Sequence, residues 1–352
     1  MTTPTSPASD GASGTPRTNW SGTYTYRATS VARPESISAL TALIRAASRI
    51  RPLGTRHAFN DVADVDGWQV NVAALTSWIE IDASARTATV NAGLSYAEIA
   101  PVLHAAGFGL PALASLPHLS VAGACATASH GSGHGIGNLA TQVSALEFVD
   151  GTGTVRTLSR AGDPDTFPGA VVSLGALGAV TSMTLDLVPT YDVAQTVRLS
   201  LPAAVFVDRF AEITGAAYSV SCFTRWIDIV DQVWCKVRVG DRPPDETVFT
   251  EAPPADVDVH PVPGGSPADC TPQRGVPGPW HERLPHFAAG RTPSFGDEIQ
   301  SEFFVDASAA PAAAVAMFGI GRRIAPALRI SEVRTIAADD LWLSPARGRD
   351  VV

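Results

Sequence analysis

The sequence predicts an α+β fold in two regions of different pattern. In residues 20–189, short apolar strands alternate with two helices, and glycine-rich turns separate these elements. From about residue 190, alternating strands flank a segment at 242–279 that is crowded with proline, glycine and acidic residues, as expected for an antiparallel sheet with a long surface excursion. Because 45% of the 352 residues are hydrophobic, the chain can bury a sizeable core. We expect a disordered tail at 1–19 and domains at 20–189 and 190–352.

Three helices are expected from their residue patterns. The first, 35–50, has apolar residues at helical spacing and follows Pro34, a residue type favoured at helix starts. The second begins at Ser95, which has the spacing to form a capping box with Glu98. The third is the alanine-rich stretch 307–318.

Strands are expected where apolar and polar residues alternate between turn signals. The glycine-rich turn 151–153 joins two of these strands as a hairpin. Lys236, the only lysine of the chain, lies in an alternating strand, and we expect it to face solvent. The predicted strands are 68–75, 87–92, 143–149, 154–158, 181–188, 196–201, 232–239, 298–305 and 329–336.

Composition argues against several classes of function. The 34 acidic and 25 basic side chains give a net charge of −9, which disfavours a nucleic-acid partner, since binding a polyanion requires clustered cations. No apolar run reaches the roughly 18 residues of a membrane span. The first residues lack the apolar core of a signal peptide, so we expect a cytoplasmic protein. The four cysteines lack metal-ligand spacing, so we expect buried thiols and no metal site.

Three loops contain residue types that allow a backbone to approach a ligand closely. They are 51–60, 114–123 and 126–135. The last has glycines at alternate positions, so its amides can point at an anion without steric cost. The first contains His57, for which a purely structural role is the alternative to a functional one.

A carboxylate and a guanidinium share one face of the last predicted strand. Glu332 and Arg334 are two residues apart, so their side chains project to the same side while Val333 faces the other way. Such a pair can bind a polyhydroxylated ligand, because the carboxylate accepts hydrogen bonds and the guanidinium donates them. A surface salt bridge is the alternative.

In this order and spacing, six segments resemble the flavin oxidases of the vanillyl-alcohol oxidase type, and among them the bacterial alditol (xylitol) oxidases. The likeness extends over nearly all of the chain after residue 19, and six collinear motifs are much more specific than any one alone. The segments are RPLGTRHAFN at 51–60, ASLPHLSVAGACATASHGSG at 114–133, SLGALGAVTSMTLDL at 173–187, AAYSVSCFTRW at 216–226, GVPGPWHERLPHF at 275–287 and SEVRTIAADDLWLSPARGRD at 331–350.

The resemblance implies a two-subdomain FAD-binding domain of the PCMH type, followed by a cap domain whose antiparallel sheet covers the substrate. It implies FAD, joined covalently to the ring of His57, although Ala58 stands where the family has a serine. It also implies that Glu332, Arg334 and Ser115 are catalytic residues that contact the substrate. The residues expected at FAD are Pro52, Leu53, Gly54, Thr55, Arg56, His57, Ala58, Ser115, Ser120, Gly123, Thr127, Ala128, Ser129, His130 and Val180.

The implied reaction transfers hydride from the terminal CH–OH of an alditol, such as xylitol or sorbitol, to flavin N5. Dioxygen is the acceptor, and the products are an aldose and hydrogen peroxide. A small polyol and dioxygen are then the partners, and the oligomeric state is left open. One alternative is a sugar-lactone (aldonolactone) oxidase or dehydrogenase. Another is a flavin-binding protein of impaired activity, because the family continues beyond the segment matched at 331–350 to a lysine-bearing segment that this chain is expected to lack.

Overall fold

The computed structural model describes residues 18–291 and 298–352, which form an α+β fold as expected. The helices are α1 (Ile37–Ala46), α2 (Tyr96–Ala105), α3 (Val121–Ala126), α4 (Phe167–Val171), α5 (Ala203–Asp208), α6 (Phe210–Thr214) and α7 (Ala310–Ile324). The strands are β1 (Ser30–Ala32), β2 (Ile50–Pro52), β3 (Trp68–Val70), β4 (Ile79–Asp82), β5 (Thr87–Asn91), β6 (Phe108–Gly109), β7 (Val143–Asp150), β8 (Val155–Ser159), β9 (Gly178–Asp186), β10 (Val188–Pro189), β11 (Asp192–Pro202), β12 (Ser219–Thr224), β13 (Ile229–Arg238), β14 (Gly278–Pro279) and β15 (Ser331–Val333).

The first region contains two main sheets that share one apolar cluster. A parallel sheet has the order β1-β3-β2, and an antiparallel sheet has the order β4-β5-β9-β7-β8. Helix α1 connects them, because Leu40 and Ile44 lie on one helical face and belong to a cluster with Val70 of the first sheet and Val149 of the second. This packing fixes the end of β2, where the loop with His57 begins, relative to the large sheet.

Helices α2 and α3 cover the large sheet. The predicted capping box of α2 is confirmed: the Glu98 amide donates to Ser95 Oγ at 3.3 Å, and the Ser95 amide donates to the Glu98 carboxylate at 2.8 Å. Val121 and Cys125 of α3 are fully buried in the same core. The loops before and after α3 are the second and third loops singled out in the sequence, so one short helix positions both.

The second region is a five-stranded antiparallel sheet of order β14-β11-β13-β12-β15. On one face, α5, α6 and α7 bury an apolar core that includes Phe206, Phe210 and Val233. On the other face, the excursion that follows β13, which extends beyond the expected 242–279 to residue 287, covers Phe223 and Trp234. Both faces of the sheet are therefore buried.

Burial of both faces makes the expectation of a solvent-exposed Lys236 wrong. Lys236 follows Trp234 at two residues on β13, so it points to the excursion side, and it is 1% exposed. Alternation in a strand predicts two faces, but it cannot show that a distant segment covers the second one. The four cysteines, by contrast, are buried free thiols as expected.

The end of the chain returns to the first region. Ile336 forms a bridge with Gly133, and the Trp342 amide donates to the Pro168 carbonyl at 3.1 Å. The Trp342 ring also lies against Gly169 of α4. The sheet changes near residue 190, and the last part of the expected domain 190–352 packs on the first region, while the boundary itself stays a prediction.

Several expected elements have different bounds. The helix expected at 35–50 ends at Ala46, because Ala47 is extended and leads into β2. The strand expected at 298–305 does not form, and this stretch is irregular. Its backbone pairs only at its end, where Val305 and Val352 exchange hydrogen bonds. The helix expected at 307–318 is α7 and extends further, to Ile324, after a 3₁₀ turn at 307–309.

Residues 1–17 of the expected disordered tail lie outside the described residues. For the last two residues, 18 and 19, the expectation of disorder is wrong. Thr18 pairs with Thr25, and Asn19 is buried. The Asn19 amide group donates to the Ala58 carbonyl at 3.2 Å, which ties this end to the His57 loop. Within the described parts of the chain, no helix combines the length and apolar character that crossing a bilayer requires.

Two glycines of α7 provide a test of its packing. A Cβ at Gly321 would lie 1.8 Å from the Trp226 carbonyl oxygen, whereas one at Gly319 would meet nothing within 4 Å. Gly321→Ala should therefore lower the free energy of unfolding by about 1–3 kcal/mol through overpacking. Gly319→Ala should raise it by about 0.5–1 kcal/mol, because glycine is a poor helix former. Urea unfolding of both variants measures this, and equal effects would contradict the packing of α7.

Candidate functional site

A cavity of about 1340 Å³ lies where the loops of the first region meet the sheet edge of the second. It exceeds the roughly 300–1,000 Å³ of common ligand pockets. Its lining combines both halves of the expected site: the histidine and glycine-rich loop of the first region, and the charged pair at the end of β15. The expected residues that line it are His57, Ser115, Thr127, Ala128, Ser129, His130, Glu332 and Arg334.

The other expected residues do not line this cavity. Gly54, Ser120 and Gly123 form a close approach of two backbones: a Cβ at Gly54 would lie 3.0 Å from Ser120 Oγ and 3.5 Å from the Gly123 Cα. This contact holds the His57 loop against the start of α3. Val180 packs instead against the main core from β9.

The remaining expected residues shape the loop itself. Pro52 ends β2, and the Leu53 amide donates to the Val70 carbonyl at 2.8 Å. Arg56 has a φ of 67°, in the left-handed region that bulky residues rarely adopt, and its carbonyl accepts from the Trp20 amide at 2.7 Å. The chain turns sharply at Thr55 and Arg56, and this turn brings His57 to the cavity.

His57 is enclosed by two other rings. The Trp20 and His57 ring centroids are 4.6 Å apart, and those of His118 and His57 are 4.5 Å apart. His118 Nε2 and His57 Nε2 share a short hydrogen bond, so one of these nitrogens must be unprotonated. Burial, followed by the nearby His118 and Arg56, lowers the pKa of His57 to about 3, and burial also lowers the pKa of His118. At neutral pH His57 is therefore an uncharged imidazole.

Glu332 and Arg334 lie on the same side of the chain, as expected, with Arg334 Nε 3.7 Å from Glu332 Oε1. His286 Nε2 is 2.8 Å from the same Glu332 oxygen. Burial alone would raise the pKa of Glu332, but the Arg334 guanidinium and the His286 imidazole outweigh it and hold that pKa well below its usual range. The carboxylate is thus ionised and faces the cavity as a hydrogen-bond acceptor.

Glu302 links the glycine-rich loop to β15. Its Oε1 is 2.8 Å from His130 Nε2 and 2.8 Å from an Arg334 terminal nitrogen. Arg334 also donates to the His130 carbonyl at 3.2 Å. Burial would raise the pKa of Glu302, but the hydrogen bond from His130 and the charges of His130 and Arg334 lower it to about 2.

Three residues that contact the expected site residues were not predicted as site residues: His118, His286 and Glu302. His118 and His286 lie within segments that carry the family resemblance, so those motifs could have identified them as candidate site residues. Glu302 lies in the stretch that was expected to be a strand, and its role depends on contacts with residues that are distant in sequence.

The residues of the cavity fit a bound FAD. The lining supplies an uncharged imidazole and the loop 127–130 that opens the glycine-rich segment, and His118 Nδ1 is buried without a hydrogen-bond partner in the described structure. A Cβ at Gly131 would lie 2.7 Å from the Leu113 carbonyl oxygen, so the loop can approach the segment with Leu113 only with glycine at this position.

Comparison with known proteins identifies similar chains. A protein family described as an FAD binding domain matches residues 28–159. Alditol oxidase from Streptomyces sp. (strain IKD472) is 45% identical over 339 residues, which cover 95% of this chain and 80% of that protein.

Lactone-oxidising enzymes match over shorter stretches. D-arabinono-1,4-lactone oxidase from Eremothecium gossypii is 33% identical over 63% of this chain and 43% of that protein. L-gulono-1,4-lactone dehydrogenase from Mycobacterium tuberculosis is 32% identical over 49% of this chain and 41% of that protein. In both cases the matched part is less than half of the relative.

Among solved structures, cholesterol oxidase from Brevibacterium sterolicum matches with a TM-score of 0.56 and 19% identity. The match covers 64% of this chain and 48% of that one, so the chain spans about half the length of that structure. At this identity the likeness concerns the fold, and it agrees with the expected PCMH-type arrangement of an FAD-binding domain followed by an antiparallel-sheet domain.

The low pKa of Glu302 predicts an acid-dependent loss of stability. An ordinary glutamate has a pKa of 4.5, against about 2 for Glu302 in the folded protein. As the pH falls, the unfolded chain takes up this proton first, so the stabilisation is complete above pH 4.5 and is lost towards pH 2. Glu302→Gln should therefore show a shallower fall in the free energy of unfolding over this range than the wild type.

Urea unfolding of the FAD-free protein at a series of pH values measures this difference. Glu80→Gln changes an exposed carboxylate on β4, outside the cavity, and serves as the matched control with the wild-type slope. Equal slopes for Glu302→Gln and the wild type would contradict the pairing of Glu302 with His130 and Arg334.

Proposed function

The chain belongs to the family of FAD-dependent alditol oxidases, and from this premise we propose that it oxidises the terminal CH–OH of a polyol such as xylitol or sorbitol to the aldehyde. The observation that carries the proposal is the convergence of His57, the glycine-rich loop and the Glu332–Arg334 pair on one cavity. Bound FAD would supply the hydride acceptor for the alcohol carbon, and dioxygen would take up its two electrons together with this hydrogen and the hydroxyl proton, which gives hydrogen peroxide.

The charged pair at the end of β15 suits a neutral polyol. Glu332 accepts hydrogen bonds from substrate hydroxyls, and Arg334 retains free N–H donors beside it for the hydroxyl oxygens. Ser115, which lines the same cavity, adds a hydroxyl that both donates and accepts. Its carbonyl accepts from the amides of His286 and Phe287, both at 3.2 Å, so the loop with Ser115 and the excursion hold each other in place.

Glu332 binds and orients the substrate rather than removing its hydroxyl proton. A general base works best when its pKa lies near the working pH. Arg334 and His286 hold the pKa of Glu332 well below its ordinary value despite burial, so its carboxylate is a weak proton acceptor. Arg334 stabilises negative charge that develops on the substrate oxygen as the proton leaves.

We assign the pyrophosphate of FAD to the loop that begins at residue 127 and to the amides around 52–58, in keeping with the sequence-based expectation. We also propose a covalent bond between the cofactor and the ring of His57. The low pKa of His57 supports this, because only an unprotonated imidazole nitrogen is a nucleophile. The four free thiols agree with a reducing compartment such as the cytoplasm.

Reduction of the bound flavin under anaerobic conditions tests the proposed reaction. Xylitol and sorbitol should bleach the flavin absorbance of the wild-type protein, and admission of air should release hydrogen peroxide. Glu332→Gln should slow bleaching by about 10²-fold with flavin content unchanged, because one charged contact to the reacting hydroxyl is lost. Glu246→Gln, which alters an exposed carboxylate paired with Arg198 outside the cavity, is the control and should keep the wild-type rate.

The same assay separates the alternatives. Bleaching by aldonolactones and not by polyols would assign the chain to lactone oxidation instead. Bound flavin that no polyol or lactone reduces would indicate a flavin-binding protein without this activity. Unchanged bleaching in Glu332→Gln would remove the role given to Glu332.

His57→Ala tests the covalent link. The flavin of the wild-type protein should stay with the polypeptide after acid precipitation, whereas that of His57→Ala should pass into the supernatant. His104→Ala is the matched control, since His104 contacts Thr190 away from the cavity. Release of flavin from the wild-type protein, or its retention by His57→Ala, would rule out His57 as the attachment site.

A further inference from the structure

A row of polar contacts begins at Lys236 and runs to the substrate side of the cavity. Lys236 Nζ donates to the carbonyl oxygens of Leu284 and Pro285, the second at 3.3 Å, and lies 3.2 Å from His286 Nδ1. The other ring nitrogen of His286 lies 2.8 Å from Glu332 Oε1. Lys236 is 1% exposed, and within this row of contacts the His286 ring lies between Lys236 and the cavity.

The direction of these hydrogen bonds is fixed by chemistry. An ionised carboxylate only accepts, so His286 Nε2 must carry a hydrogen to contact Glu332. In a neutral imidazole the other nitrogen is then a bare acceptor, which is what the Lys236 ammonium requires. A neutral amine that accepted from His286 Nδ1–H would reverse the tautomer and place a bare nitrogen against the Glu332 carboxylate.

We propose that Lys236 is a positioning residue for the alditol oxidation: its ammonium holds His286 in the Nε2–H tautomer, and His286 in turn holds the Glu332 carboxylate towards the substrate hydroxyls. The inference rests on the proposed function, because it assigns Glu332 to the substrate. It gives a role to a buried charge that would otherwise only destabilise the sheet.

The surroundings of Lys236 make this arrangement sensitive to pH. Burial lowers the pKa of Lys236 to about 7, and burial together with the Lys236 charge lowers the pKa of His286 to about 4. The titratable groups that act on Lys236 are His286 and Cys270 from the excursion and Glu332 from β15. Its register partners on β11 and β12 are uncharged, namely Gln195 and Ser219.

A variant with a similar stem and no amine tests the role. Lys236→Met should slow anaerobic flavin reduction by xylitol about tenfold or more, while flavin content stays at the wild-type level. It should also remove the decline in reduction rate that the wild type shows as the pH rises past Lys236 deprotonation. Gln195→Met is the matched control: it removes a neighbouring buried donor that also ties the excursion to the sheet, through Thr271 and Pro272, without contacting His286.

A spectroscopic readout needs no substrate. In ¹⁵N-histidine-labelled, FAD-loaded protein, the His286 signals, identified by their loss in His286→Gln, should show a protonated Nε2 and a bare Nδ1. Lys236→Met should let His286 Nδ1 take up a proton as well, because the Lys236 charge that lowers the pKa of His286 is then absent, and Gln195→Met should not. A wild type that binds flavin but is not reduced by xylitol, sorbitol or any other polyol would disprove the proposed function, while this test on His286 still stands.

The single lysine allows a measurement on the unaltered chain, which decides the matter even if Lys236→Met does not fold. Protein labelled with ¹³Cε-lysine gives one lysine signal, whose titration should coincide with the alkaline decline in flavin reduction. The proposal is overturned if the two titrations differ, if the protonation of His286 Nδ1 is the same in Lys236→Met, or if Gln195→Met slows reduction as much as Lys236→Met.

Discussion

The half-buried carboxylate of Glu302 holds together the two walls of the cavity. It accepts from His130, in the loop that follows α3, and from Arg334, just after β15, each at 2.8 Å. A charge that leaves water must be paired, and each partner here can satisfy this need only if the loop and the strand keep their relative position. The loop assigned to the cofactor and the strand end assigned to the substrate are therefore positioned by the same contact.

The same requirement explains how several charges coexist beside one cavity. Lys236, Glu332, Arg334 and Glu302 alternate in sign along the wall, and His286 separates the first two. Because the signs alternate, each charge offsets the desolvation cost of its neighbours. The groups that face the cavity still have hydrogen-bonding capacity for a ligand. The return of the chain at Ile336 onto Gly133 adds backbone pairing to this junction, so charge pairing is not the only link between the regions.

Whether the sequence predicts a feature of this structure depends on how far apart along the chain the residues lie that determine it. The capping box at Ser95 and the common face of Glu332 and Arg334 depend on residues two or three apart, and both were predictable. The burial of Lys236 depends on an excursion some fifty residues later in the chain. Likewise, Glu302 acquires its partners across more than thirty residues in one direction and more than a hundred in the other, so no local pattern identifies it.

The direction of the hydrogen bonds limits which substrates the wall can accept. Glu332 is engaged by His286 and held ionised, so a ligand meets it as an acceptor, while the adjacent Arg334 still has donors to offer. A hydroxyl satisfies both at once, because it donates to the carboxylate and accepts from the guanidinium. A ligand carboxylate would pair with Arg334 only by placing its charge beside Glu332 and Glu302, which repel it. The wall is thus better suited to neutral polyols than to sugar acids, and the tautomer of His286 determines whether the Glu332 carboxylate is correctly aligned for them.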